Sequence, residues 1–184
     1  MKICFLDLDG VLVTGDTPTS LKRMAKVDGD YLCHFNSKCV KALNQLIEKS
    51  NAKIVISSTW RKSTQLSTLI KHFKNEGVIG EIIGETPILY DTDKMSVYRG
   101  IEIQCWISRH DHENIESFVI IDDDSDMCHL LNRLVKTTMR DYEKLGKESE
   151  FTYKELSKES GFTIEHIEKA IEILNRPIDN SLNL

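Results

Sequence analysis

The hexapeptide Asp7-Leu8-Asp9-Gly10-Val11-Leu12 sets two carboxylates one residue apart at the end of an apolar run. The glycine after them lets the chain turn so that both can reach one ligand. A second acidic group, Asp122-Asp123-Asp124 with Asp126, places four acids in five residues after another apolar run. Clustered carboxylates disfavour each other's charged form unless a cation lies between them. Hard oxygen donors of this kind select Mg²⁺, which keeps several waters and binds through one or two carboxylates. The competing readings are a helix-capping Asp with an Asp-Gly turn for the first group and a solvated acidic loop for the second. Two such groups at neighbouring strand ends make a shared divalent metal the better account.

Ser57-Ser58-Thr59-Trp60-Arg61 adds small donors, hydroxyls and backbone N–H groups, that suit a phosphate oxygen at a helix start. Taken alone, the segment reads as a simple cap. Arg99 opens another helical stretch, and its planar guanidinium can neutralise a phosphate bidentately, although a surface arginine is the plainer reading in isolation. His110 and His112 alternate with Asp111 and Glu113, but they lie in a polar stretch that a solvated loop explains without a metal. The five cysteines show no CxxC spacing and no partner motif for nucleophilic catalysis, which argues against a disulfide framework or zinc knuckle and for a reducing compartment.

These residues need a scaffold that gathers them, and the apolar runs supply one. Ile3-Cys4-Phe5-Leu6 precedes Asp7, Lys53-Ile54-Val55-Ile56 precedes Ser57, and Phe118-Val119-Ile120-Ile121 precedes Asp122. Short runs rich in β-branched residues fit parallel strands buried on both faces. Between them, Asn36 or Ser37 caps a helix carrying Val40, Leu43, Leu46 and Ile47 that ends near Asn51, and a second runs from about Ser63 to Asn75 with Leu66, Leu69, Ile70 and Phe73 on one face. A further strand is expected near Ile82-Ile83, a helix from Arg99 through Trp106, and a helix end with a short edge strand over Leu130 to Val135. Thr163 caps a last helix with an apolar stripe of Ile164, Ile167, Ile171 and Leu174. The alternation predicts right-handed βαβ units in an α/β fold, a three-layer Rossmann-like open parallel sheet with helices on both faces. Ligands bind such sheets beyond the carboxyl ends of the strands, where all the candidate residues fall.

A chain of 184 residues, 40% hydrophobic and 29% charged, buries roughly 70% of its unfolded surface and needs no staple. Its formal charge of -5 argues against strong non-specific DNA binding while leaving room for a local basic groove. A signal peptide would need a longer uncharged core than the run before Asp7, and no run approaches a membrane span, so a soluble cytoplasmic protein is expected. One domain over residues 1–178 is expected, with a flap region at 14–35, a charged surface insertion at 137–160 and a loose tail at 179–184.

The order of these motifs, Asp-x-Asp-Gly-Val, a hydroxyl, a basic residue before a helix and a later Asp pair, resembles the haloacid dehalogenase (HAD) superfamily of phosphotransferases over residues 3 to about 135. Ser-Ser-Thr-Trp-Arg, Arg-Gly-x-Glu-Ile-x-x-Trp, Ile-Asp-Asp-Asp-x-Asp-Met and the closing Gly-Phe-Thr-x-x-x-Ile-x-x-Ala look like the small HAD domains associated with bacterial RNA-repair ("Swiss Army Knife") proteins. The resemblance implies that Asp7 is the nucleophile forming an aspartyl-phosphate and Asp9 the general acid and base. It implies Mg²⁺ held by Asp7, the Asp9 backbone carbonyl and Asp122, supported by Asp123 or Asp126. Ser57 or Ser58 would bind phosphate. The family's third motif is commonly Lys; here Arg99 stands for it, with Arg109 and Lys94 as rivals.

No segment is long enough for a cap domain, so the resemblance implies an open site and a macromolecular partner, a phosphorylated nucleic-acid end or phosphoprotein. Lys22, Arg23, Lys26 and Arg61, with Trp60 as a stacking surface, are candidate substrate contacts, against the alternative that Trp60 packs into the core and the basic residues are merely solvated. The competing function is a non-catalytic Mg²⁺ or phosphate-binding module, receiver-like in kind. The second acid at Asp9, which a passive binder does not require, favours the enzyme.

Overall fold

The computed structural model describes residues 1–14, 24–93, 95–110, 114–139 and 160–178. Five strands form one sheet: β1 (Lys2–Leu6), β4 (Lys53–Ile56), β5 (Ile82–Glu85), β6 (Ser117–Asp122) and β7 (Leu134–Lys136). They lie in the order β5-β4-β1-β6-β7, and every pairing is parallel. β2 (Met24–Val27) and β3 (Asp30–Cys33) make a separate antiparallel hairpin within the expected flap region.

Period-two alternation sorts the strand side chains between two cores. Cys4, Leu6, Ile54, Ile56, Val119 and Ile121 face a core shared with α1 (Ser37–Ser50), α2 (Leu66–Asn75) and α4 (Ile164–Leu174). Ile3, Phe5, Val55, Phe118 and Ile120 face the other, covered by α3 (Arg99–Arg109) and the 3₁₀ turn Cys128–Arg133. Both faces are therefore covered, which is why these strands read as continuous apolar runs. Phe5 sets its edge against both Trp106 and Phe118, with ring centroids 5.4 and 5.7 Å away. Burying each such ring contributes about 2 to 3 kcal/mol.

Local chemistry sets the helix ends. The Asn36 side chain accepts the Lys38 N–H to start α1, and Asn51 in the left-handed region stops it one residue short of β4's approach. Thr163 and His166 cap α4 reciprocally. Two expected stripe positions are corrected. Ile70 on α2 is exposed, and its place in the core is taken by Thr68 and His72; Ile164 on α4 is exposed because it is the first helical residue, and Ala170 and Ile173 complete the buried face instead. Most of the expected insertion at 137–160 and the tail at 179–184 lie outside the described residues, as do Lys22, Arg23, Lys94 and His112. No helix among the described residues is long and apolar enough to cross a membrane.

Candidate active site

Strand register brings the site together. Leu6 pairs with Ile56 on one side and Ile121 on the other, so the next residue of each strand, Ser57, Asp7 and Asp122, stands at one level across β4, β1 and β6. All three keep the phase of Val55, Phe5 and Ile120, which is the face covered by α3. Arg99 is the first residue of α3. Its guanidinium donates to Asp7 Oδ1 at 2.8 Å and to the Ser57 carbonyl at 2.6 Å, and its Nε lies 3.2 Å from Asp122 Oδ2.

Oxygens of Asp7, Asp122 and Asp123 lie within 4.8 Å of one another. Asp122 is fully buried; its Oδ1 accepts the Asp124 N–H, while Oδ2 has no hydrogen-bond partner despite the nearby Arg99 charge. Burial, and next the Asp7 charge, push the Asp122 carboxyl up to about 8. Burial also raises Asp7, against the pull of the Arg99 charge and of hydrogen bonds from Arg99, Leu8 and Ser58. Asp123 is raised by burial and by Asp7. Three acids penalised in this way, one with a buried oxygen that accepts no hydrogen bond, fit a hard divalent cation among them.

The turn after β1 makes this crowding possible. The N–H groups of Val11, Leu12 and Val13 all point to the Leu8 carbonyl, and Gly10 passes through positive φ, +71°. A Cβ at Gly10 would collide with the Asp123 carboxylate, so the position requires glycine on two counts. The Asp9 carboxylate is outside the acidic cluster: its Oδ2 accepts the Trp60 indole N–H at 2.8 Å. Any contribution of Asp9 to a metal there falls to its backbone carbonyl.

Ser57 Oγ is buried and has no partner, whereas Ser58 Oγ accepts the Trp60 N–H at 3.4 Å and caps the 3₁₀ turn Thr59–Lys62. Arg61, expected at the surface, is buried. It donates to the carbonyls of Ser57, Ser58 and Thr86 at 2.8, 2.6 and 3.0 Å and pairs with Glu102. Every part of the guanidinium is engaged within the fold, and this corrects its assignment as a substrate contact. Trp60 is also corrected as a free stacking platform. Half-buried, it lies near-parallel to His72, with Phe35 alongside, at centroid distances of 6.2 and 6.5 Å. Lys26 remains exposed on the hairpin, with its ammonium 5.6 Å from the Tyr31 ring centre.

Asp126 supports the site from outside the acidic cluster. Its carboxylate accepts the Arg99 N–H at 3.0 Å and its carbonyl the Gly100 N–H at 3.1 Å. It thereby holds the start of α3 against the loop after β6. Arg109, the rival to Arg99, is exposed at the far end of α3, about 15 Å along the helix. His110 stacks on Trp106 and its Nδ1 lies 2.7 Å from the Trp106 carbonyl, a local role. All five cysteines are free thiols.

Glu102 is the site residue that sequence reasoning passed over. One helical turn beyond Arg99, it balances Arg61 and accepts the Leu89 N–H at 3.1 Å. The available signal was an acid three residues after a site arginine on an otherwise core-facing helix surface.

The profile of the family described as "HAD domain in Swiss Army Knife RNA repair proteins" matches residues 3–142, about three quarters of the chain. Comparison with curated proteins and with solved structures gave no match.

Proposed function

The chain belongs to the HAD domains of Swiss Army Knife RNA repair proteins, and we propose that it is a Mg²⁺-dependent phosphomonoesterase acting through an aspartyl-phosphate. The observation that carries this reading is Asp7 set among Asp122, Asp123 and Arg99 at the strand ends.

Mg²⁺, bound to the Asp7 and Asp122 carboxylates and the Asp9 carbonyl with Asp123 in support, would neutralise the phosphoryl charge that otherwise repels a carboxylate nucleophile. Arg99 adds a fixed positive charge beside Asp7, and the unpaired Ser57 hydroxyl supplies a preorganised donor for a phosphate oxygen. Asp7 attacks phosphorus as the ester bond breaks, and the leaving oxygen takes its proton from the Asp9 carboxyl. Water then attacks the phospho-Asp7, giving its proton to the Asp9 carboxylate and releasing phosphate. One group serves both steps because the first leaves it in the form the second needs.

The hairpin β2–β3 is the cap-like element among the described residues, and nothing of domain size overhangs the site there. An open site supports a macromolecular phosphate, a nucleic-acid end or phosphoprotein, as substrate. The test is hydrolysis of an aryl phosphate, phosphorylated oligonucleotides and phosphopeptides with and without Mg²⁺, with Asp7→Asn as control. The variant should lose several powers of ten in turnover. Activity within about tenfold of wild type would exclude Asp7 as the nucleophile.

A further inference from the structure

General acids deliver protons well only when the right oxygen carries the proton and the carboxyl is held still. Asp9 follows the last residue of β1 by three positions and sits in a turn, half-buried. Trp60 supplies a contact that orients it: its indole N–H donates to Asp9 Oδ2 at 2.8 Å.

From this geometry we propose that Trp60 is a positioning residue for Asp9, selecting which carboxyl oxygen holds the catalytic proton; the proposal rests on the general-acid reading of Asp9 given above. An indole nitrogen only donates, so Oδ2 accepts; a carboxyl's carbonyl oxygen accepts better than its hydroxyl oxygen, and the contact therefore favours the acidic proton on Oδ1. When Oδ1–H transfers its proton to the leaving oxygen, the ester P–O bond breaks and the alcohol departs. The new carboxylate keeps an N–H donor whose hydrogen bond strengthens as the charge develops. The stabilisation is thus greater in the transition state than before it.

The indole is held for this task. The backbone N–H of Trp60 meets the Ser58 hydroxyl, and the next residue, Arg61, is tied to the carbonyls of Ser57, Ser58 and Thr86. Across its face lies His72, whose Nε2 donates to the Cys33 carbonyl of the hairpin at 2.9 Å. Phe35 closes another side and is itself edge-on to His72 at 4.8 Å. A ring merely filling space would have no reason to aim its one polar atom at a carboxylate of the site.

Trp60→Phe keeps the ring and removes the N–H. The value of kcat/KM covers steps only as far as leaving-group departure, so it isolates proton donation from the later hydrolysis. For an alkyl phosphate, whose alkoxide needs the proton, the variant should lose at least about tenfold; for p-nitrophenyl phosphate, whose phenolate leaves unaided, under about threefold. Asp9→Asn should show the same selectivity more strongly. Equal losses on both esters, or none on either, in a setting where wild type is active and Asp7→Asn is dead, would overturn the role of Trp60 alone. A wild type inactive on both esters would overturn the phosphatase reading and this role with it. A readout independent of turnover comes from the two tryptophan indole N–H resonances. Asp9→Ala should shift the Trp60 signal and spare that of Trp106, and an unmoved Trp60 signal would overturn the proposal.

Discussion

Arg61 and Glu102 form an ion pair with almost no exposed surface, the two side chains 1% and 6% exposed. Desolvation lowers the pKa of Arg61, and the Glu102 charge opposes that fall. Such a pair is costly to assemble, but breaking it is costlier, because the survivor is left charged and unpaired in a buried place. Glu102→Ala should therefore destabilise the fold by about 3 to 5 kcal/mol in urea unfolding. It should also loosen the Ser57-Ser58 carbonyls that Arg61 holds, reducing turnover in whatever folded protein remains. A loss below about 1 kcal/mol would mean that water reaches Arg61. The acids at the strand ends behave in the opposite way, since burial penalises each of them and the Asp7 charge penalises Asp122 and Asp123 further. The two kinds of buried charge, one paired for structure and one crowded with like charges around Arg99, distinguish scaffold from site.

Helix α2 and the hairpin meet through a few polar contacts. Lys71 pairs with Asp28 at 2.7 Å, and His72 reaches the Cys33 carbonyl from a fully buried position. Burial holds the His72 imidazole below its usual 6.5, and only partly do the hydrogen bond and the Glu76 charge offset this. The unfolded chain then binds a proton at higher pH than the folded one, so stability falls as pH drops below 6.5 and levels off beneath the folded value. His166, capping α4, is also lowered by burial and acts in the same sense. We expect stability to fall toward pH 5 by up to about 1.4 kcal/mol per pH unit for each such histidine. His72→Phe, placed beside Phe35 and Trp60, should flatten that slope by one histidine's share. Urea midpoints measured from pH 7.5 to 5 test this, and an unchanged slope in the variant would place the pH dependence elsewhere.

At the scale of the molecule, the sheet and its two cores are closed by apolar packing, while Asp7, Asp122 and Asp123 crowd together at the strand ends. Mg²⁺ should thus stabilise an already folded protein. At a hundredfold excess over Kd the gain is about 2.7 kcal/mol, and for a chain of this length Tm should rise by roughly 5 to 10 °C. Chelation should reverse the rise and leave the far-ultraviolet circular dichroism unchanged. A Tm indifferent to Mg²⁺ up to about 10 mM would sink the metal assignment, and loss of secondary structure on chelation would show that the metal is structural.

What could be read from the sequence alone is whatever depends on short-range periodicity. The runs before Asp7, Ser57 and Asp122 announce buried parallel strands because both faces of each must be apolar, and the acids and hydroxyls following them therefore mark strand ends. Arg99 at a helix start, and the Asn36 and Thr163 caps, are equally local. Which side chains face a substrate is not local. Arg61 looked available because charged residues usually are, yet its carbonyl and carboxylate partners come from a strand end, a loop and another helix. Trp60 and Asp9 are 51 residues apart, and only the parallel pairing of β1 with β4 brings the turns beyond those strands together. Tertiary structure alone decided such contacts, because a hydrogen bond across the sheet top depends on strand order and register, and neither is written in any one segment.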